Sequence, residues 1–271
     1  MEIRICDIMK FENILVPIDG SVHSDNTVDL AICSAHDFGS TLTFVYVVDV
    51  TESNRFGDVN GFGTMAKLEV EGTIALDVAE SKAREEGVRF KTKLFEGVPG
   101  EVICELSKDY DQIIIGATGK SGLGKGRIGR TTDYIIEHSY CPVLCIKETS
   151  KKLERILLPI VDTHLPAIDD AIETAKKVNA SVTVFAVNGH DKNFADLVEE
   201  VADRFREAGI KVETESAEGN PADCIIERAD SYDQIIMGVG SRNAIDKILR
   251  GGTAERVVAN ASCPVTIIRN S

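Results

Sequence analysis

Residues Tyr110 to Gly116 read YDQIIIG, and residues Tyr232 to Gly238 read YDQIIMG, 122 positions later. Cys141-Pro142-Val143 recurs as Cys263-Pro264-Val265 at the same offset. So does EGVPGEVICE from Glu96, as EGNPADCIIE from Glu218. Nearer the front, ENILVPID from Glu12 matches ERILLPIV from Glu154, here 142 positions apart. Collinear matches of this kind mean one unit written twice. The change of offset places an insertion between Val48 and about Gly87 of the first copy. The stretch DVTESNRFGDVNGFGTM (49–65) is the obvious candidate, a polar, glycine-containing surface loop. The polar run Glu148-Thr149-Ser150-Lys151-Lys152 reads as the linker, dividing the chain into domains 1–150 and 151–271.

Within each copy short apolar runs alternate with segments of helical period. ILVPI from Ile14 is rich in β-branched residues and reads as a buried strand. A helix over Ser21–Asp37 follows, with Val28, Ala31, Ile32 and Ala35 on its inner face. Thr41–Val48 is a strand. Ala66–Glu86 is a helix expected to bury Leu68, Ile74, Leu76, Val78 and Ala79. Then come a strand at Phe90–Phe95, a helix at Glu101–Lys108, a strand at Gln112–Ile115, a helix at Thr132–His138 and a strand at Val143–Lys147. The second copy predicts strands at Ile156–Pro159, Val182–Val187, Lys211–Glu215, Gln234–Met237 and Val265–Arg269. Its helix Asp191–Ala208 sets Phe194, Leu197, Val198, Val201 and Phe205 on one core-facing side. Strand–helix alternation implies an α/β fold with a mostly parallel sheet and helices on both faces.

Composition narrows the function. The 271 residues carry a formal net charge of −14, which argues against nucleic acid as a general partner. Apolar runs such as QIIIG are far short of the ~20 residues a membrane span needs, so no membrane partner is expected. MEIRICDIMKFENILVPIDG has no long apolar core followed by a cleavage site, so we expect no export signal and a cytoplasmic location. The seven cysteines form no CxxC pair and read as reduced core thiols. The five histidines show no metal-ligand spacing, and no Ser–His–Asp constellation stands out.

Against that acidic background, Gly116 to Gly129 gathers six glycines with Lys120, Lys125 and Arg127, and Arg130 follows. The loop leaves a buried strand and opens a helix, where unpaired N–H groups favour an anion. Glycines let the backbone approach a ligand closely. A P-loop does not fit, because Gly126 stands where magnesium would need Ser or Thr. A dinucleotide fingerprint does not fit either, because GKGRIG starts about eight residues beyond the fourth strand rather than directly after the first.

ILVPIDGS (14–21), TFVYVVD (43–49), the pair Gly116 and Gly119, Gly129 after a nine-residue gap, and the closing CPVLCIK together resemble the universal stress protein family. The resemblance covers both copies. It implies two tandem Rossmann-like domains, each a five-stranded parallel sheet of order 3-2-1-4-5, and an adenine-nucleotide site that takes ATP, AMP or ADP, with Mg2+ held through the phosphates. Carried over residue by residue, Pro17 and Asp19 stand beside adenine and ribose, and Val47 forms the apolar wall of the base pocket. Gly116, Gly119 and Lys120 begin the phosphate loop and Gly129 ends it. Arg130 replaces the usual Ser or Thr, Thr131 follows, and Thr132 stands where a second hydroxyl is common. Read without the family, Asp19 is a turn or helix-start carboxylate and Thr132 an N-cap.

In the second copy Val161 stands for Asp19, Ser241 for Gly119, Gly252 for Arg130 and Ala254 for Thr132, so its site is expected to be degenerate. The resemblance further implies an internal pseudo-dimer paired through the last strands, with a homodimer or an unknown protein partner beyond it. The function expected is nucleotide-dependent stress response or signalling. A scaffold that binds no nucleotide is the alternative, and a slow ATP hydrolase a more remote one, since no general base is evident.

Overall fold

A computed structural model describes residues 11–51, 62–119, 126–147, 152–160, 165–187, 192–239 and 252–269. The chain divides into two compact units, one holding the described residues up to 119 and 129–143, the other 126–128 and those from 144 onward.

The first half runs β1 (Asn13–Pro17), α1 (Val22–Phe38), β2 (Thr41–Asp49), α2 (Phe62–Glu85), β3 (Arg89–Gly97), α3 (Pro99–Leu106), β4 (Gln112–Gly116), α4 (Arg130–His138) and β5 (Val143–Ile146). Its strand order is β3-β2-β1-β4-β5, as expected. Strand β1 pairs in parallel with β2 and β4, and β2 in parallel with β3. The second half repeats the plan as β6 (Arg155–Ile160), α5 (Leu165–Val178), β7 (Ser181–Val187), α6 (Lys192–Glu207), β8 (Val212–Ala217), α7 (Pro221–Arg228), β9 (Gln234–Val239), α8 (Gly252–Asn260) and β10 (Val265–Arg269). Its order is β8-β7-β6-β9-β10.

The two halves keep the same register. Ile14 pairs with Gln112, and their counterparts Ile156 and Gln234 pair likewise. Asp111 fixes the foot of the β1–β4 pair. Its carboxylate Oδ2 accepts the Asn13 N–H at 2.7 Å, and its own N–H donates to the Asn13 carbonyl at 2.9 Å. Asp233 makes the same two bonds with Arg155, at 2.8 and 2.9 Å. Register also corrects the expected site of the insertion. Asn13 pairs with Thr41 and Arg155 with Ser181, so the offset has already fallen to 140 by the second strand. Two residues of the difference therefore lie before Thr41, where α1 has 17 residues against 14 in α5. Most of the rest falls in 49–65, of which 52–61 lies outside the described residues. Phe62 to Met65 belong to α2 rather than to a loop.

The core of each half is built as β-branched and aliphatic patterning dictates. Ile14, Leu15 and Val16 of β1 are fully buried, as are Ile113 and Ile114 of β4. The expected inner face of α1 is buried, and on α6 Val198, Val201 and Phe205 join one apolar cluster. Helix α2 departs from expectation. Leu76 and Ala79 are buried, but Ile74 and Val78 are exposed, at 58% and 44%. The buried stripe runs Gly72, Leu76, Ala79, Ala83, and Ile74 and Val78 fall on the opposite side of a 3.6-residue period. Cys33 is exposed rather than in the core, because it lies off the Val28–Ala35 face of α1. Burial pushes the thiols of Cys141, Cys145 and Cys263 up to about 12.

Gly72 shows how closely α2 seats. A Cβ there would meet the Tyr46 ring at 2.5 Å and Leu94 at 2.8 Å. Leu94 is exposed and can swing away, whereas Tyr46 is buried and cannot. Gly72→Ala would gain about 1 kcal/mol of helix propensity and lose about 1–3 kcal/mol to overpacking. We expect a lower urea midpoint with an unchanged slope. Alkylation at pH 8 should label Cys33 before Cys145, and the Cys141 rate should keep rising with pH beyond 10, since a raised pKa keeps thiolate scarce.

Candidate functional site

Parallel β1 and β4 lie side by side, and their chain connections leave in opposite directions, so the loops after them part. A cavity of about 230 Å³ opens there in the first half. The loop after β1 supplies Pro17, Ile18, Asp19 and Ser24. The end of β2 supplies Val45, Tyr46, Val47 and Asp49. Ile115, Gly116, Thr118 and Gly119 come from β4 and its loop, and Gly129, Arg130, Thr131 and Thr132 from the start of α4. Leu68 of α2 and Pro99 and Ile103 of α3 complete the wall.

The sequence builds each part locally. Gly20 takes φ +74°, which reverses the chain just after Asp19 at no steric cost. Ser21 then N-caps α1, its hydroxyl accepting the Ser24 N–H at 3.2 Å. Asp19 Oδ1 accepts the Ser21 N–H at 3.0 Å, an Asx-type turn. The other oxygen, Oδ2, faces Gly119, where a Cβ would lie only 2.5 Å from it. Asp19 is thus both a turn carboxylate and the residue against which the glycine loop begins.

At the far end, the Gly129 N–H donates to the Ala117 carbonyl at 2.9 Å, closing the base of the loop. Gly129 is also the N-cap of α4 and offers no side-chain bond to the first helical N–H groups. The positive end of the helix is therefore turned to the cavity without a side-chain cap. Thr132 lies in the first turn and is not the N-cap. Its hydroxyl donates to the Gly116 carbonyl at 2.9 Å, tying α4 to the end of β4. Thr132 is buried and Arg130 exposed, so the guanidinium stays at the rim.

Nine of the ten residues singled out from sequence, Pro17, Asp19, Val47, Gly116, Gly119, Gly129, Arg130, Thr131 and Thr132, line this one cavity. The tenth, Lys120, lies outside the described residues, as do Val161 and Ser241 of the second copy. Sequence reasoning missed the other ten lining residues, among them Ser24, Asp49, Leu68, Pro99 and Ile103. Only Asp49 carried a usable signal, as the polar end of an apolar strand. The others reach the cavity through tertiary packing. Chemically, the arrangement offers an apolar slot, two carboxylates at its side, and a helix N-terminus with an arginine at its rim.

The Universal stress protein family model matches residues 10–147 and 189–269. A universal stress protein of Methanocaldococcus jannaschii is 33% identical over 145 residues, covering 52% of this chain and 85% of that protein. A universal stress protein of Synechocystis is 23% identical, covering 95% of this chain and all of that one. Among solved structures, a universal stress protein from Archaeoglobus fulgidus matches 97% of this chain and 98% of its own, with a TM-score of 0.80 at 20% identity.

Gly119→Ala would push a methyl into Asp19, whose other oxygen is already held by Ser21. We expect a cost of about 1–3 kcal/mol. Asp19→Ala in the same protein should recover part of it, so the two changes are not additive. Urea unfolding of the four proteins in the cycle tests this, and simple additivity would show that the two residues do not press on each other.

Proposed function

We propose, from the premise that this chain belongs to the universal stress protein family as a tandem of two such domains, that its first half binds an adenine nucleotide and acts through ligand-dependent association in stress response or signalling. One observation carries the reading. An apolar slot, a ribose-side carboxylate and an uncapped helix N-terminus with Arg130 converge on a single cavity. Val45 and Val47 supply apolar walls for a purine, and Asp19 and Asp49 stand where sugar hydroxyls could donate. At about 230 Å³ the cavity suits a nucleoside, with phosphates lying along the rim at the start of α4. Arg130 then meets phosphate oxygens, which it can do bidentately. A divalent cation on the phosphates would offset the Asp19 and Asp49 charges.

Thr132 has a positioning role in this reading, since its hydroxyl hydrogen goes to Gly116. The second half has Ala254 in that place, which leaves α8 without the matching tie to the end of β9. We assign it a structural or regulatory role. Binding would change what the protein associates with only as far as one arrangement holds the nucleotide better than another.

The protein has no Trp and only 5 Tyr, so bound adenine would dominate its absorbance near 260 nm. Titration calorimetry with ATP and magnesium is the direct test. Arg130→Ala should weaken ATP about tenfold or more, the scale of a lost charged hydrogen bond, and leave adenosine unchanged. No heat with millimolar ATP, and no 260 nm excess in the purified protein, would overturn the reading in favour of the scaffold.

A further inference from the structure

Strand β3 ends the order of the first half and β8 that of the second, and among the described residues each pairs on one side only, with β2 and β7. Each therefore presents an open row of backbone N–H and C=O groups. Their outward charges are opposite. Lys91 and Lys93 of β3 are exposed, and the residues at the same places in the second copy, 122 positions on, are Glu213 and Glu215 of β8, also exposed. Lysines on an edge block pairing of β3 with another β3, and glutamates block β8 with β8. Neither blocks β3 with β8.

We infer that β3 of one copy of this chain pairs edge to edge with β8 of another. Antiparallel pairing in one register sets both lysines against glutamates and opposes no like charges. Lys91 faces Glu215, Thr92 faces Thr214, Lys93 faces Glu213 and Leu94 faces Val212. Leu94, 43% exposed, then gains an apolar neighbour. Arg89 meets Ala217, and Lys211 meets Phe95. A parallel register that kept Lys91 with Glu213 and Lys93 with Glu215 would instead set Arg89 opposite Lys211, a like-charge pair that costs stability. Among the described residues Glu213 has one competing partner, Lys211 at 3.4 Å in an exposed pair, whereas Glu215 accepts from Arg228 at 3.2 Å and from the Tyr232 hydroxyl at 3.4 Å, so Glu213 is the more available of the two. The two surfaces differ, so the contact is head to tail and leaves one edge free on each chain, allowing growth beyond a pair. A six-residue edge buries well under the ~1,600 Å² of a standard interface, so association is weak and depends on concentration.

Sedimentation velocity at about 0.15 M salt tests this, since the Debye length near 8 Å screens the −14 charge while contact pairs persist. The wild type should sediment faster as concentration rises. Lys93→Glu and Glu213→Lys, both at exposed positions, should each require roughly tenfold more protein to reach the same average size. An equimolar mixture of the two restores every facing pair and should recover wild-type behaviour. Matching urea midpoints would establish that both variants fold. A wild type whose sedimentation does not depend on concentration overturns the inference. So do variants that sediment like the wild type, or a mixture that fails to recover.

Discussion

The parallel pairing of β1 with β4 is the constraint from which the rest follows. Asp111 pins the N-terminal ends of these strands with two backbone-directed bonds, and Asp233 does the same in the second half. With the feet of the strands held and their connections leaving in opposite directions, the loops at the other end must separate. The cavity is that separation. Its two chemical faces, the Asp19 turn and the α4 N-terminus, follow from the strand pair that carries them.

Most of this fold was legible in the sequence because the pattern was printed twice. A strand that reads ambiguously once, such as RILLPI, is settled by its copy at ENILVPID. The glycines of the loop were legible as well, since backbone reversal and close approach leave few other choices. What could not be read was anything decided across elements. Ile74 and Val78 looked like core because they are apolar, and only the seating of Gly72 on Tyr46 shows which side of α2 faces in. Thr132 looked like a cap or a phosphate ligand, and its bond to Gly116 depends on where β4 ends. Pro99 and Ile103 sit on a helix that reads as ordinary packing until the fold sets it against β2, β3 and α4 at the cavity wall.

The two copies have drifted unequally. Strand register, the Asp111 and Asp233 clamps and the extent of α4 and α8 are shared, and these set the frame. Surface charge on the outermost strands has reversed sign between copies, and side chains around the first cavity have been replaced in the second. Conservation of frame with divergence of lining follows from physics. A frame residue answers to many neighbours at once, a lining residue to few.

The close approach of Asp19 to Gly119 carries a historical consequence. A carboxylate so near a glycine penalises any larger residue at 119 for as long as aspartate stands at 19. The later copy supplies the comparison, with valine at the place of the aspartate, Val161, and serine at the place of the glycine, Ser241. In sequence, then, aspartate and glycine occur together in one copy and are both replaced in the other, as a steric bar between the two positions would lead one to expect.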